Sequence, residues 1–263
     1  MKTGSFVLKG DLCYSLDRDH LKAVENGYLV CVGGVSAGTF DRLPEEYRAL
    51  PLKDYTGKLI VPGLVDLHVH APQYTFRGLG LDMELLEWLE RNTFPEEAKY
   101  RDIEYARAAY RIFAEDLRTG PNTRACIFAT VHVPGTLVLM DILEESGLIT
   151  MVGKVNMDRN ASDALLEADA AASLRATEEW LDAVKGKYLR TTPILTPRFV
   201  PSCTDALLDG LGEIQRRRGL PVQSHLSENR GEVKWVKELC PWSSCYADAY
   251  DRFGLFGGPG CPT

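Results

Sequence analysis

The chain has 263 residues, of which 45% are hydrophobic and 25% charged, with a formal net charge of −7. That length can bury a large core in one α/β domain or two smaller ones. The acidic balance argues against a nucleic-acid backbone or an anionic membrane as partner, and no run reaches the roughly 18 apolar residues of a membrane span.

The N-terminal MKTGSFVLKGDL lacks the apolar core of a secretion signal, which leaves the cytoplasm as the expected location. Residues 1–58 carry short β-like stretches, SFVLKGDLCYSL and NGYLVCVGG, separated by Gly, Asn and Asp turns. They read as a small β-domain. A polar segment, DRLPEEYRALPLKDYTG, leads into an apolar run that begins at Leu59 and ends in GLVDLHVHAPQ.

That run is expected to be one strand closing on His68 and His70. Alternate residues of a strand share a face, so the two imidazoles project together, about 6.6 Å apart along the backbone. Each could place a nitrogen roughly 2.0–2.1 Å from a zinc ion. Two surface histidines at a strand end are the plainer alternative. Two of the chain's five histidines at this spacing, after a buried strand, favour a metal.

From residue 59 to 263 the pattern alternates. MELLEWLERN predicts a short helix. PEEAKYRDIEYARAAYRIFAEDLRTG predicts a longer one, with Ile103, Ala106, Ala109, Tyr110, Phe113 and Leu117 in helical register and Gly120 as its stop. RACIFAT is a strand, TLVLMDILEESG a helix and LITMVGKVNM a strand. The segment 161–186 is a long Ala-rich helix and TTPILTPRFV a strand. CTDALLDGLGEIQRRRG is helical, PVQSHLSEN ends a fifth strand, and a further helix begins near Gly231. Five short apolar strands alternating with helices indicate a parallel sheet, whose chemistry gathers at the C-terminal strand ends.

His225 would add a third imidazole to that rim, the minimum protein donor set for a catalytic zinc. Glu228 follows closely enough to move a proton without binding metal, although a first-turn helix acid is the plainer reading of that residue alone. Asp66 could orient an imidazole or be a satisfied buried acid. His132 reads as a rim or turn residue, Trp88 as core, and Lys154 as a strand lysine that needs a partner if buried. Arg198 and Phe199 offer a guanidinium fork beside an aromatic face, and Gln73 a donor and an acceptor, which together suit a planar polar heterocycle. Each could equally be structural.

The seven cysteines (13, 31, 126, 203, 240, 245 and 261) form no C-x-x-C and read as reduced thiols. This excludes the cytidine-deaminase type of zinc site. Nucleotide-binding glycine loops and the serine-hydrolase elbow are absent from the sequence.

PGLVDLHVHAPQY, LLEWLE…TFPEE, TRACIFAT, VGKVNMD, TPRF and SHLSENRGEV together resemble the guanine deaminase family of the amidohydrolase superfamily. The resemblance implies a (β/α)8 barrel and hydrolytic deamination of guanine to xanthine and ammonia. It implies one zinc per chain (with iron as the alternative) held by His68, His70 and His225. Glu228 would be the proton shuttle, and Gln73, Arg198 and Phe199 the purine holders. A homodimer would be compatible with it. Other amidohydrolases acting on a different purine, a pterin or a triazine-like ring are the rival reading, and a non-catalytic fragment is another.

The sequence departs from the family where it stops, at FGGPGCPT. The family continues into a sixth strand with another histidine and an eighth followed by an aspartate. The expectation is therefore a partial barrel of about five β/α units, inactive on its own and prone to associate through its open edges.

Overall fold

The computed structural model describes residues 4–256, so Cys261 and most of the C-terminal FGGPGCPT lie outside the described residues. The chain divides into two compact units between Gly63 and Leu64.

In the first unit, β1 (Phe6–Ser15), β2 (Leu21–Val32), β3 (Val35–Phe40) and β4 (Leu52–Ile60) form one sheet in the order β3-β2-β1-β4. β1 is antiparallel to β2 and parallel to β4. The polar segment before residue 58 is thus not a simple connector, because its second half is a strand. The run expected as one strand from Leu59 is two: Leu59 and Ile60 end β4, and β5 (Leu64–His70) starts after Val61-Pro62-Gly63. Proline there has no N–H to give a ladder, which is why the run breaks.

The second unit is mixed α/β. β5, β6 (Asn122–Phe128), β7 (Ile149–Gly153) and β9 (Thr191–Pro193) form a parallel sheet in that order. β8 (Val155–Asn156) pairs in parallel with β10 (Thr196–Pro197). The expected fifth strand is reduced to a parallel bridge, Leu195 to Val222. Pro221 cannot donate, and the Gln223 and Ser224 side chains both bond to β10: Gln223 Nε2 to Thr196 Oγ1 at 2.9 Å, Ser224 Oγ to the Pro197 carbonyl at 2.7 Å.

Helices lie between successive strands of the β5-β6-β7-β9 sheet. α1 (Leu85–Trp88) runs through a widened turn, Leu89–Thr93, into α2 (Phe94–Glu97). The long helix expected over 95–120 is interrupted. The Asp102 carboxylate accepts from Glu104 N and Tyr105 N and caps a new start, α3 (Ile103–Thr119). α4 (Val133–Ser146) ends at Gly147, whose φ of +81° suits a residue without Cβ. The Ala-rich helix is shorter than expected, because Asp169 caps α5 (Ala170–Val184) and the preceding residues turn back. α6 (Asp205–Arg218), α7 (Arg230–Leu239) and α8 (Asp248–Asp251) complete the unit.

Ile127 and Val152 from the strands and Leu195 from the bridge pack with Tyr110, Phe113, Leu139, Leu143, Trp180 and Leu207 from the helices in one buried core. Gly153 lets the end of β7 approach β10, since a Cβ there would lie 1.7 Å from Thr196 Oγ1. Among the described residues no helix is long and apolar enough to cross a membrane.

Candidate active site

The C-terminal end of β5 is irregular. Between Asp66 and Val69 three residues of β5 advance against two of β6, a bulge of the kind that re-aims side chains beside functional sites. His68 and His70 emerge there with ring centroids 5.3 Å apart. His225, just past the Val222 bridge, brings its ring to 4.7 Å from His68 and 5.0 Å from His70. One ligand atom from each of the three lies within 4.8 Å of the others. Phe128, fully buried at the end of β6, forms their floor, 4.8, 4.3 and 4.7 Å from the His68, His70 and His225 rings.

The electrostatics of this cluster favour neutral imidazoles. Burial pushes His225 down to about 3 and holds His70 well below the ordinary imidazole value. Burial also lowers His68, against the pull of Asp66. His225 Nδ1 donates to the Arg198 carbonyl over 2.6 Å, which leaves its Nε2 lone pair facing His70 Nε2 at 2.9 Å. His70 Nδ1 is buried without a hydrogen-bond partner. Three converging neutral nitrogens fit a borderline metal such as zinc or iron.

Beside the imidazoles lies a cavity of about 360 Å³, within the range of small-molecule sites. His68, His70, Gln73, Arg198, Phe199, His225 and Glu228 all line it. Gln73 sits in the tight turn Ala71–Phe76 that follows β5. Arg198 and Phe199, 2% and 4% exposed, leave β10. The Arg198 guanidinium lies 5.2 Å from the Phe94 ring centroid. Trp88, expected in the core, instead forms part of the cavity wall and gives its Nε1–H to the Leu79 carbonyl at 3.0 Å.

Glu228 keeps solvent access, while the protein volume behind it and then the Glu232 carboxylate raise its pKa, with Arg198 opposing. The preceding Ser227 has φ +58°, a left-handed conformation uncommon for a residue with a side chain. Glu232, fully buried in the first turn of α7, stabilises that turn by accepting from Glu228 N at 2.8 Å and Asn229 N at 3.1 Å. Tyr246 donates to the other Glu232 oxygen at 2.6 Å. Tyr250 donates to the His225 carbonyl at 2.7 Å, fixing the backbone that carries that imidazole.

Asp66 turns its carboxylate back to His68 N at 3.1 Å rather than to an imidazole. His132 is the residue before α4 and is half-buried. Lys154 is fully buried and paired with Glu167. Glu97, Phe128, Glu232, Tyr246 and Tyr250 did not stand out in the sequence. Nothing local separates Glu97 from Glu96, and the aromatic positions look like ordinary core. For Glu232 the local signal that could have been read is the N-x-x-E spacing of a capping box, Asn229 to Glu232.

The amidohydrolase family model matches residues 59–258, and the chain belongs to that family. Among its relatives, the guanine deaminase of Homo sapiens is 39% identical over 259 residues, covering 96% of this chain and 56% of the human protein. The guanine deaminase of Escherichia coli K12 is 38% identical over 269 residues, with 97% and 58% covered. A solved guanine deaminase from C. acetobutylicum, with guanine bound in its active site, superposes at a TM-score of 0.91 and 43% identity, over 97% of this chain and 60% of that one. The chain therefore spans little more than half the length of these relatives.

Proposed function

We propose that this chain belongs to an enzyme that hydrolyses guanine to xanthine and ammonia. The observation that carries the reading is the convergence of three imidazoles, one carboxylate and the Gln73, Arg198 and Phe199 side chains on one cavity. Likeness to guanine deaminases at 38–43% identity supports guanine over other rings. On this reading His68, His70 and His225 hold one divalent ion, zinc or iron. When bound, that ion would supply Lewis acidity to a water molecule.

The rest of the chemistry belongs to the chain. Phe199 gives the purine a face to lie against, and Arg198 and Gln73 hydrogen-bond its edges. Glu228 takes one proton from the attacking water and delivers it to the ring; it then moves the second, from the hydroxyl now on the carbon, to the amine, which departs as ammonia while the carbonyl forms. Its raised pKa suits a group that must both accept and release a proton near neutral pH. The parallel order β5-β6-β7-β9, with helices between successive strands, supports the reading of these units as part of a (β/α)8 barrel. Among the described residues Cys13, Cys31, Cys126, Cys203, Cys240 and Cys245 are unpaired, which supports the reading of them as reduced thiols.

The test is product formation by the metal-loaded full-length protein across a panel of guanine, adenine, a pterin and a triazine. Xanthine and ammonia in equal amounts from guanine, ahead of the other rings, is the expected result. Preferential turnover of another ring, or none of guanine, would overturn the assignment.

A further inference from the structure

Glu97 is a carboxylate where charge is seldom found: its side chain is 3% exposed, at the end of α2. Both of its oxygens are engaged by cavity residues. Oε1 accepts from Gln73 Nε2 at 3.0 Å, and Oε2 accepts from Arg198 Nη1 at 2.5 Å. Oε1 also lies 4.0 Å from His70 Nδ1. One acid thus joins two residues that lie 24 and 101 positions away in the chain. We propose that Glu97 is a positioning residue that fixes the hydrogen-bonding polarity of the cavity, by orienting the Gln73 amide and anchoring the Arg198 guanidinium. This rests on the reading of Gln73 and Arg198 as ring-binding groups.

Donors and acceptors set the polarity. An ionised carboxylate only accepts, so the Gln73 NH₂ must turn toward Glu97. The Gln73 carbonyl oxygen is then the end not engaged by the acid. A glutamine without that constraint can present either end, and the cavity would read a ring donor and a ring acceptor alike. Arg198, 2% exposed, carries a charge that needs a partner at that depth. With Nη1 held by Glu97 and the fork beside Phe94, its remaining N–H groups keep one direction. The cavity is left with an acceptor beside fixed donors, a pattern that suits a ring bearing adjacent N–H and C=O or ring-nitrogen groups.

The experiment uses the metal-loaded full-length protein and the panel ring that the wild type turns over fastest. Glu97→Gln should raise KM by roughly 10–100-fold, the scale of one charged hydrogen bond. Metal content should stay unchanged and kcat should move less. In a Gln73→Ala, Arg198→Ala background the same substitution should cost less than about threefold, because both groups it positions are gone. Equal costs in both backgrounds overturn the proposal, since a general packing role would be additive.

A crystal structure of Glu97→Gln tests the same point without substrate. A reoriented Gln73 amide or displaced guanidinium supports the proposal, and both unmoved overturn it. If Glu97→Gln does not fold, Glu97→Asp keeps the charge, shortens the reach by one methylene, and is judged by the same cycle. A wild type that deaminates another ring but not guanine overturns the guanine assignment and leaves this test to run on that ring.

Discussion

The backbone carbonyl of Arg198 accepts from His225 twice, from the imidazole Nδ1 at 2.6 Å and from the amide N at 3.3 Å. One residue therefore points a guanidinium into the cavity with its side chain and selects the tautomer of a neighbouring imidazole with its main chain. The two halves of the site, nitrogen donors and ring-binding groups, are coupled through this peptide unit. Such a bond to the far nitrogen is how a metal-binding histidine is usually oriented.

If His68, His70 and His225 hold one ion, replacing any of them with alanine removes a third of the protein's nitrogens around it. Each alanine variant should lose most of its bound metal after dialysis against a weak chelator. Elemental analysis of the purified proteins checks this. Wild-type occupancy in all three variants would remove the cluster from metal binding.

Glu228 and Arg198 should separate in kinetics. Glu228→Gln keeps the shape and loses the proton carrier, a role worth about 10²–10⁴-fold, so kcat should collapse while metal is retained. Arg198→Ala should act mainly on KM. A near-normal kcat for Glu228→Gln would take Glu228 out of the proton path.

How far the site could be read in advance depends on how local each signal is. His68 and His70 sit two apart on one strand, and a period of two is enough to pair them, although the bulge that aims them does not show in the sequence. The alternation of apolar runs and helical spacing gave the layering of residues 64–222. It gave neither the break at Asp102 nor the break before Ala170, because a capping aspartate looks like any surface acid until its carboxylate meets a free N–H. Glu97 was illegible for a stronger reason. Its partners Gln73 and Arg198 are distant in sequence, and only the folded chain brings them to one carboxylate. Leu52–Ile60 was hidden by its polar residues, which suit a strand exposed along nearly its whole length.

Stability toward acid should depend on Glu144. Partial burial raises its pKa, but N–H groups of Arg190, Leu189 and Thr191 at 2.9, 3.0 and 3.0 Å outweigh that and hold the carboxyl below its usual value. A carboxylate with a depressed folded pKa stabilises the fold above its unfolded value of 4.5, and that contribution is lost as pH falls through the folded value. Glu144→Gln should therefore be less stable than wild type at pH 7, with the gap closing as pH falls below 4.5 and through the lower folded value. Urea midpoints measured across that range test it. A gap independent of pH would mean the glutamate acts through shape alone.

The Lys154–Glu167 pair offers the sharpest stability test, because its lysine is fully buried. Lys154 has no exposed side-chain surface, and burial lowers its pKa while Glu167 opposes that shift. Glu167 also accepts from Met157 N at 3.0 Å and Ser173 Oγ at 2.6 Å, so it ties the segment after β7 to α5. Within that segment the Asn156 carbonyl accepts from Arg198 N at 3.2 Å. Glu167→Gln would leave a buried ammonium without its counter-charge, a loss of about 3–5 kcal/mol. Lys154→Met should cost less, since Glu167 keeps its other donors and some solvent. The double variant should recover much of the loss, because a buried ion pair replaced on both sides leaves no orphan charge. Urea denaturation of the three variants measures the cycle. Losses that simply add would show that the two side chains do not act as a pair.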